Sequence, residues 1–151
     1  MPDLLNSSPN IETVVNRIKA AGHRITPQRL AILEILVSSR SHPTVDQIYE
    51  QIRQDFPMTS RATVYKTIAL AKELGAVWEL EFSQGSNRYD GRQPYPHPHV
   101  ICTQCEQVLD AEGIEIQALQ KQIVRNTGYR GIRHRMDFFG VCPECQQASS
   151  T

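Results

Sequence analysis

Apolar residues recur at helical spacing through the first half of the chain. Ile11, Val14, Val15 and Ile18 mark a first helix, and Gly22 is a suitable stop. Thr26 is a good N-cap, and Pro27 follows at the first helical position, where its missing N–H costs nothing. Leu30, Leu33, Ile35 and Val37 are expected to form the apolar face of that second helix. Thr44 and Gln47 make a capping box for a third helix with Val45, Ile48, Tyr49 and Ile52 inward, and Phe56-Pro57 ends it. Ser60 caps a fourth helix that stops at Gly75. Val64, Ile68 and Ala71 share its inner face; Arg61, Ala62, Tyr65, Lys66, Ala69 and Lys72 lie opposite.

After Gly75 the period changes from helical to alternating. Val77, Glu79 and Glu81 alternate with Trp78, Leu80 and Phe82, which predicts a strand over 76–83. The stretch QGSN is a turn, and Arg88-Tyr89-Asp90 begins a returning strand. Helices followed by a hairpin are the order of a winged helix-turn-helix, whose last helix enters the major groove. Local charge agrees with this, although the formal net charge is zero. Arg17, Lys19, Arg24 and Arg29 form one basic island, and Arg61, Lys66 and Lys72 another. Alanines let a helix approach base edges, and Arg or Lys reaches guanine or phosphate. Candidate DNA contacts are Arg24, Arg61, Ala62, Thr63, Tyr65 and Lys66. The competing reading is a solvated helix face, since alanine is the best helix former anywhere.

The Gly- and Pro-rich stretch DGRQPYPHPH has no period and separates two domains. Residues 1–90 are assigned to the winged-helix domain, 91–96 to a hinge and 97–151 to a small second domain. There, Ile114, Ala118, Leu119 and Ile123 suggest a helix ending near Gly128, and GIRHRMDFFG alternates as a strand. A helix packed on a small sheet is expected, with a core marginal enough to suggest a dimerisation module. The class is therefore α+β.

Cysteine changes the picture most. The chain has four, all in two C-x-x-C knuckles, Cys102/Cys105 and Cys142/Cys145. No long apolar run or signal-peptide pattern is present, so the expected compartment is the cytoplasm, where thiols stay reduced. Four thiolates in two knuckles point to structural Zn2+ rather than disulfides or a thioredoxin-like pair. His97 and His99 are two apart and share a face if extended. Asp90 and Asp110 are near in sequence. Nitrogen and carboxylate donors without sulfur suit Fe2+, Mn2+ or exchangeable zinc; a solvated His-Pro-His loop is the alternative. His134 reads as a buried, hydrogen-bonded histidine.

The stretches RITPQRLAILEIL, SHPTVDQIYEQI, SRATVYKTIALAKELGAV, HPHVICTQC, QVLD and FFGVCPEC, in this order, resemble the ferric uptake regulator family over nearly the whole chain. The resemblance implies a metal-loaded homodimer that represses genes by binding double-stranded promoter DNA. It implies a structural zinc on Cys102, Cys105, Cys142 and Cys145. It also implies a regulatory site of His42, Asp90, His97, His99 and Asp110, of which neither composition nor spacing points to His42. Aspartate at both acid positions, together with GVCPEC, is similar to the family's peroxide-sensing branch. That branch implies oxidation of His42 or His97 by peroxide at bound Fe2+, with release of DNA, whereas Mn2+ gives a peroxide-insensitive repressor. One departure is an Asp90–His97 segment one residue longer than usual, with two extra prolines. Pro98 also replaces an acid of an auxiliary site that would use His97, Glu115 and His134. The rivals are an iron-responsive uptake repressor without oxidation chemistry and, from another class, a non-haem metal enzyme.

Overall fold

Each of the first four helices begins on a side chain that accepts a hydrogen bond from its own first turn. Asn10 receives the Thr13 N–H at 2.8 Å and starts α1 (Ile11–Ala20). Thr26 receives the Arg29 N–H at 3.1 Å and starts α2 (Pro27–Ser38). Thr44 and Gln47 close a reciprocal box on α3 (Val45–Asp55), and Ser60 caps α4 (Arg61–Glu73). These contacts satisfy donors that a helix start leaves orphaned. The computed structural model describes residues 10–81, 85–111 and 113–149. The chain divides into two compact units, Met1–Tyr95 and Pro96–Thr151.

In the first unit, Val14 and Ile18 of α1 meet Ile32, Leu33 and Leu36 of α2, Ile48 and Ile52 of α3, and Val64 and Ile68 of α4 in one core. The apolar face expected for α2 needs correction. Leu30, Ile35 and Val37 are only partly buried, while Ile32 and Leu36 join Leu33 in the deepest positions. Apart from Glu34, every residue from Leu30 to Val37 is apolar, so periodicity cannot rank them. The neighbours α1, α3 and α4 decide which side is deepest.

The hairpin is β1 (Trp78–Leu80) and β2 (Arg88–Asp90), antiparallel with Trp78 opposite Asp90. β1 is shorter than the expected strand over 76–83; Phe82 and Ser83, with Gln84 of the expected turn, lie outside the described residues. Lys72 of α4 pairs with Glu79 of β1, so the expected outer-face cation is tied to the wing. β2 is fastened to the turn before α3 by a Thr44–Arg88 bridge and by the Tyr89 N–H donating to Pro43 O at 3.0 Å. Just after β2, a Cβ at Gly91 would stand 2.8 Å from the Leu36 carbonyl oxygen, so only glycine lets the chain leave the wing this close to α2.

The second unit has a three-stranded sheet with β3 (His99–Cys102) central, β4 (Val108–Asp110) antiparallel on one side and β5 (Asp137–Gly140) parallel on the other. Parallel pairing needs a crossover. α5 (Ile116–Thr127) supplies it and ends on Gly128 at φ 73°. A short α6 (Pro143–Ala148) follows. Two elements differ from the sequence expectation. The strand expected from Gly131 starts only at Asp137, because β3 is preceded by Pro98 and Pro96, which have no N–H to extend a ladder. The helix expected to pack on the sheet buries none of its residues in the single chain. The class is α+β, with a winged helix-turn-helix followed by a small α/β unit. Among the described residues, no helix is long and apolar enough to cross a membrane.

Candidate functional site

The second unit gathers the four cysteines. Cys102 ends β3 in register with Gly140 of β5, and Cys142 caps α6 two residues later. The four sulfurs lie within 4.8 Å of one another, and those of Cys105 and Cys142 are 3.8 Å apart. A tetrahedron with bonds of about 2.3 Å has edges of roughly 3.8 Å, so the set fits a four-thiolate zinc ion. Backbone N–H groups of Cys105, Cys142 and Gln104 pull the Cys102 thiol down to about 6. The Cys145 thiol is pushed up to about 12 by its hydrogen bond with Cys142 and by burial. Four thiolates at this spacing would repel one another, a repulsion that a bound cation offsets.

The same strand carries the histidine end. His99 opens β3 opposite Asp110 of β4, and the Ala111 N–H donates to Pro98 O at 2.9 Å, which brings His97 beside the same carboxylate. Asp110 Oδ1 lies 2.8 Å from His97 Nε2 and 3.4 Å from His99 Nε2. The two rings are 4.4 Å apart between centroids, and His99 is 1% exposed. Two imidazole nitrogens converging on one carboxylate oxygen form a nitrogen/oxygen donor set without sulfur, which suits Fe2+, Mn2+ or Zn2+.

The first unit holds a second histidine–aspartate pair. His42 Nε2 lies 3.0 Å from Asp90 Oδ2, and both side chains are buried. The wing sets this up. Arg88 Nη1 donates to His42 O at 3.2 Å, and the other Asp90 oxygen, Oδ1, accepts the Arg92 and Gln93 N–H groups at 3.0 and 2.8 Å. The segment after Asp90 therefore starts with an Asx turn that fixes its carboxylate. His42 adopts φ 52°, in the left-handed region that histidine visits more readily than most residues. A strained, buried histidine facing a carboxylate is a candidate for function.

α4 presents Arg61, Ala62, Tyr65, Lys66 and Ala69 to solvent. Arg61 is engaged within the unit, paired with Asp46 and lying 4.4 Å over the Tyr49 ring. Thr63 is half-buried beside the Ser60 hydroxyl at 3.1 Å, as part of the cap. Arg24 is exposed, and its carbonyl accepts from Arg29 at 2.8 Å. In the second unit His134 is half-buried, and its Nδ1 is 2.8 Å from Gln120 Nε2.

Two acids escaped sequence reasoning. Glu79 reads as the solvent side of a strand, yet it receives Tyr89 Oη at 3.0 Å and Asn87 Nδ2 at 3.2 Å besides Lys72. Asp137 lies beside His99 in the parallel register of β3 and β5, a relation that no local spacing encodes.

A match to the ferric uptake regulator family covers residues 20–139. The peroxide-responsive repressor PerR of Staphylococcus aureus is 39% identical over 90% of this chain and 91% of its own length. Among solved structures, the ferric uptake regulator of Helicobacter pylori, described as having three functional metal binding sites, matches with a TM-score of 0.79 and 28% identity, over 93% of this chain and 97% of its own. PerR from Streptococcus pyogenes, described in terms of peroxide sensing and gene regulation, matches with a TM-score of 0.53 and 29% identity, over 95% of this chain and 98% of its own.

Proposed function

This chain belongs to the ferric uptake regulator family, and from that premise we propose that it is a homodimeric, metal-dependent repressor that senses peroxide on promoter DNA. The four cysteines hold a structural zinc. A single exchangeable Fe2+ or Mn2+ takes His42 and Asp90 from the first unit and His97, His99 and Asp110 from the second. The observation that carries this is the donor chemistry: two largely buried histidine–aspartate clusters, free of sulfur, in a chain whose four cysteines gather in a group of their own. The uncovered apolar side chains of the second unit support a dimer, with Leu119 at 39% and Phe139 at 67% exposure.

Ligands drawn from both sides of residues 91–96 let metal occupancy bias the angle between the DNA-binding unit and the dimerising one. Only one angle sets two copies of α4 at successive major-groove turns. The metal acts through its higher affinity for that arrangement. Fe2+ held by these residues would supply the reducing electron that starts cleavage of the peroxide O–O bond. The net change, imidazole plus H2O2 giving oxo-imidazole plus water, would fall on His42 or His97, weaken that ligand and release DNA. Each chain is spent in sensing, so no catalytic cycle is assigned. The aspartates at positions 90 and 110 and the likeness to PerR of S. aureus support this branch.

An iron-responsive repressor without oxidation is the second reading, favoured by the likeness to the H. pylori regulator. One experiment separates the two. The protein is loaded with Fe2+, bound to promoter DNA and treated with low peroxide; DNA release and peptide masses are followed. Release with one oxygen added to the His42 or His97 peptide supports the sensor. Retained DNA and unmodified histidines sink it.

A further inference from the structure

The exchangeable site needs more than its ligands. A neutral imidazole that presents one nitrogen to a metal carries its proton on the other, and that N–H needs an acceptor to fix tautomer and ring plane. His97 and His99 both direct Nε2 at Asp110 Oδ1. For His99 the remaining nitrogen is Nδ1, and Asp137 Oδ1 lies 3.9 Å from it. We propose that Asp137 is the positioning residue of the exchangeable site, accepting the His99 Nδ1 proton and so reserving Nε2 for the ion. The proposal rests on the ligand assignment given under Proposed function.

Three features point to this carboxylate. Asp137 stands directly beside His99 in the parallel β3–β5 register, so the two side chains leave the same face of the sheet. Its Oδ1 is buried and accepts no hydrogen bond, an expensive state for a carboxylate oxygen with no task. Its other oxygen, Oδ2, receives Arg135 Nε at 2.9 Å. That contact orients the carboxylate and leaves Oδ1 facing the ring. A separation of 3.9 Å is too long for a hydrogen bond, and a small turn of the imidazole closes it. Asp137 therefore touches no metal. It acts through His99, and Arg135 acts through Asp137.

The placement also explains why an acid sits in a strand where every other residue is apolar or glycine, between Met136 and Phe138. A structural aspartate there would be served equally by asparagine. A proton acceptor for a metal-bound imidazole is best served by a carboxylate, and glutamate at the same position retains the chemistry.

The test uses the full-length, zinc-loaded dimer and Mn2+ as the probe. Binding is titrated for the wild type, Asp137→Ala, Asp137→Asn, Asp137→Glu and His99→Ala, with zinc content and unfolding temperature measured in parallel. Imidazole 15N shifts before Mn2+ addition report which His99 nitrogen carries the proton. Asp137→Ala is expected to weaken Mn2+ binding about tenfold or more, with zinc content unchanged, and to move the His99 proton off Nδ1. Asp137→Glu restores both. Asp137→Asn keeps the shape and carries the same expectation if the alanine variant fails to fold. Mn2+ affinity within twofold of wild type in the Ala and Asn variants, or an unaltered His99 tautomer, overturns the role of Asp137. His99→Ala with undiminished Mn2+ affinity overturns the ligand assignment itself, and the inference falls with it.

Discussion

His42 Nε2 and Asp90 Oδ2 are 3.0 Å apart at a position where the backbone of His42 is left-handed, φ 52°. The pair is held from behind by Arg88 and by the N–H groups of Arg92 and Gln93. Replacing the imidazole while retaining a residue that tolerates this backbone separates binding from folding. His42→Asn is expected to unfold at nearly the wild-type temperature and to keep its zinc. Mn2+ is expected to stimulate its DNA binding at least tenfold less than in the wild type, which fluorescence anisotropy on promoter DNA measures.

Glu79 gives the wing a pH signature. Its carboxyl is held below its ordinary 4.5 by the Lys72 hydrogen bond, against burial, with Asn87 and Tyr89 helping. A lowered acid contributes stability that is present above 4.5 and lost as pH falls through the folded value. Glu79→Gln should therefore cost about 1 kcal/mol at neutral pH, a difference that fades in acid. Denaturant melts at several pH values check this. Tyr89 is pushed up to about 12 by burial, with the Glu79 carboxylate adding to it. Its contribution is complete below 10.0 and disappears as pH rises through about 12.

Gly91 leaves no room for a methyl group. A Cβ there meets the backbone of Leu36 at 2.8 Å, and backbone cannot swing aside as a side-chain tip can. Gly91→Ala is expected to destabilise the first unit by about 1–3 kcal/mol. Because Gly91 follows Asp90 directly, Mn2+ affinity should fall further than the loss of stability alone accounts for. Paired calorimetric melts and metal titrations read the two effects.

Cys142→Ser removes one corner of the sulfur tetrahedron but keeps an acceptor at the N-cap of α6, where the Cys145 N–H donates to Cys142 Sγ at 3.4 Å. Zinc content should fall to near zero and the second unit should lose its cooperative melt. Atomic absorption and sedimentation measure both. A folded dimer with full zinc content would mean that the four-thiolate assignment is wrong.

Arg61 is restrained by Asp46 and the Tyr49 ring, whereas Lys66 is not seen in any such contact among the described residues. Lys66→Ala should weaken binding to all sequences alike and lower the salt dependence by about one unit of slope. Asp46→Asn removes the charged one of these two restraints on Arg61 and should strengthen DNA binding several-fold at low salt. Titrations across salt concentrations distinguish the two variants.

What could be read in advance depended on how local the determinant was. The zinc knuckles are visible because each needs only two residues in between, and the cap residues because a helix start is set within four positions. The deep face of α2 was hidden by a run that is apolar almost all round. His42 is paired by a strand that starts 46 residues later, at Arg88, and the family resemblance rather than any pattern singled it out. Asp137 meets His99 only through the parallel pairing closed by α5. The exposed face of α5 was expected to be covered by the chain's own sheet, and periodicity does not say whether a helix face is covered by its own chain or another.

β3 is only four residues long, with His99 at one end and Cys102 at the other. Its parallel neighbour brings Asp137 to the first and leads into Cys142 at the second. A ribosome delivers β3 well before β5, so the sulfur cluster is incomplete until Cys142 and Cys145 have emerged, and His99 lacks Asp137 beside it until β5 has emerged. On the proposed assignment, zinc capture by the final knuckle is what locks β5 alongside β3. The permanent ion then acts as an assembly checkpoint: a newly made chain acquires the ability to respond to its exchangeable ion only after it has been matured by the other.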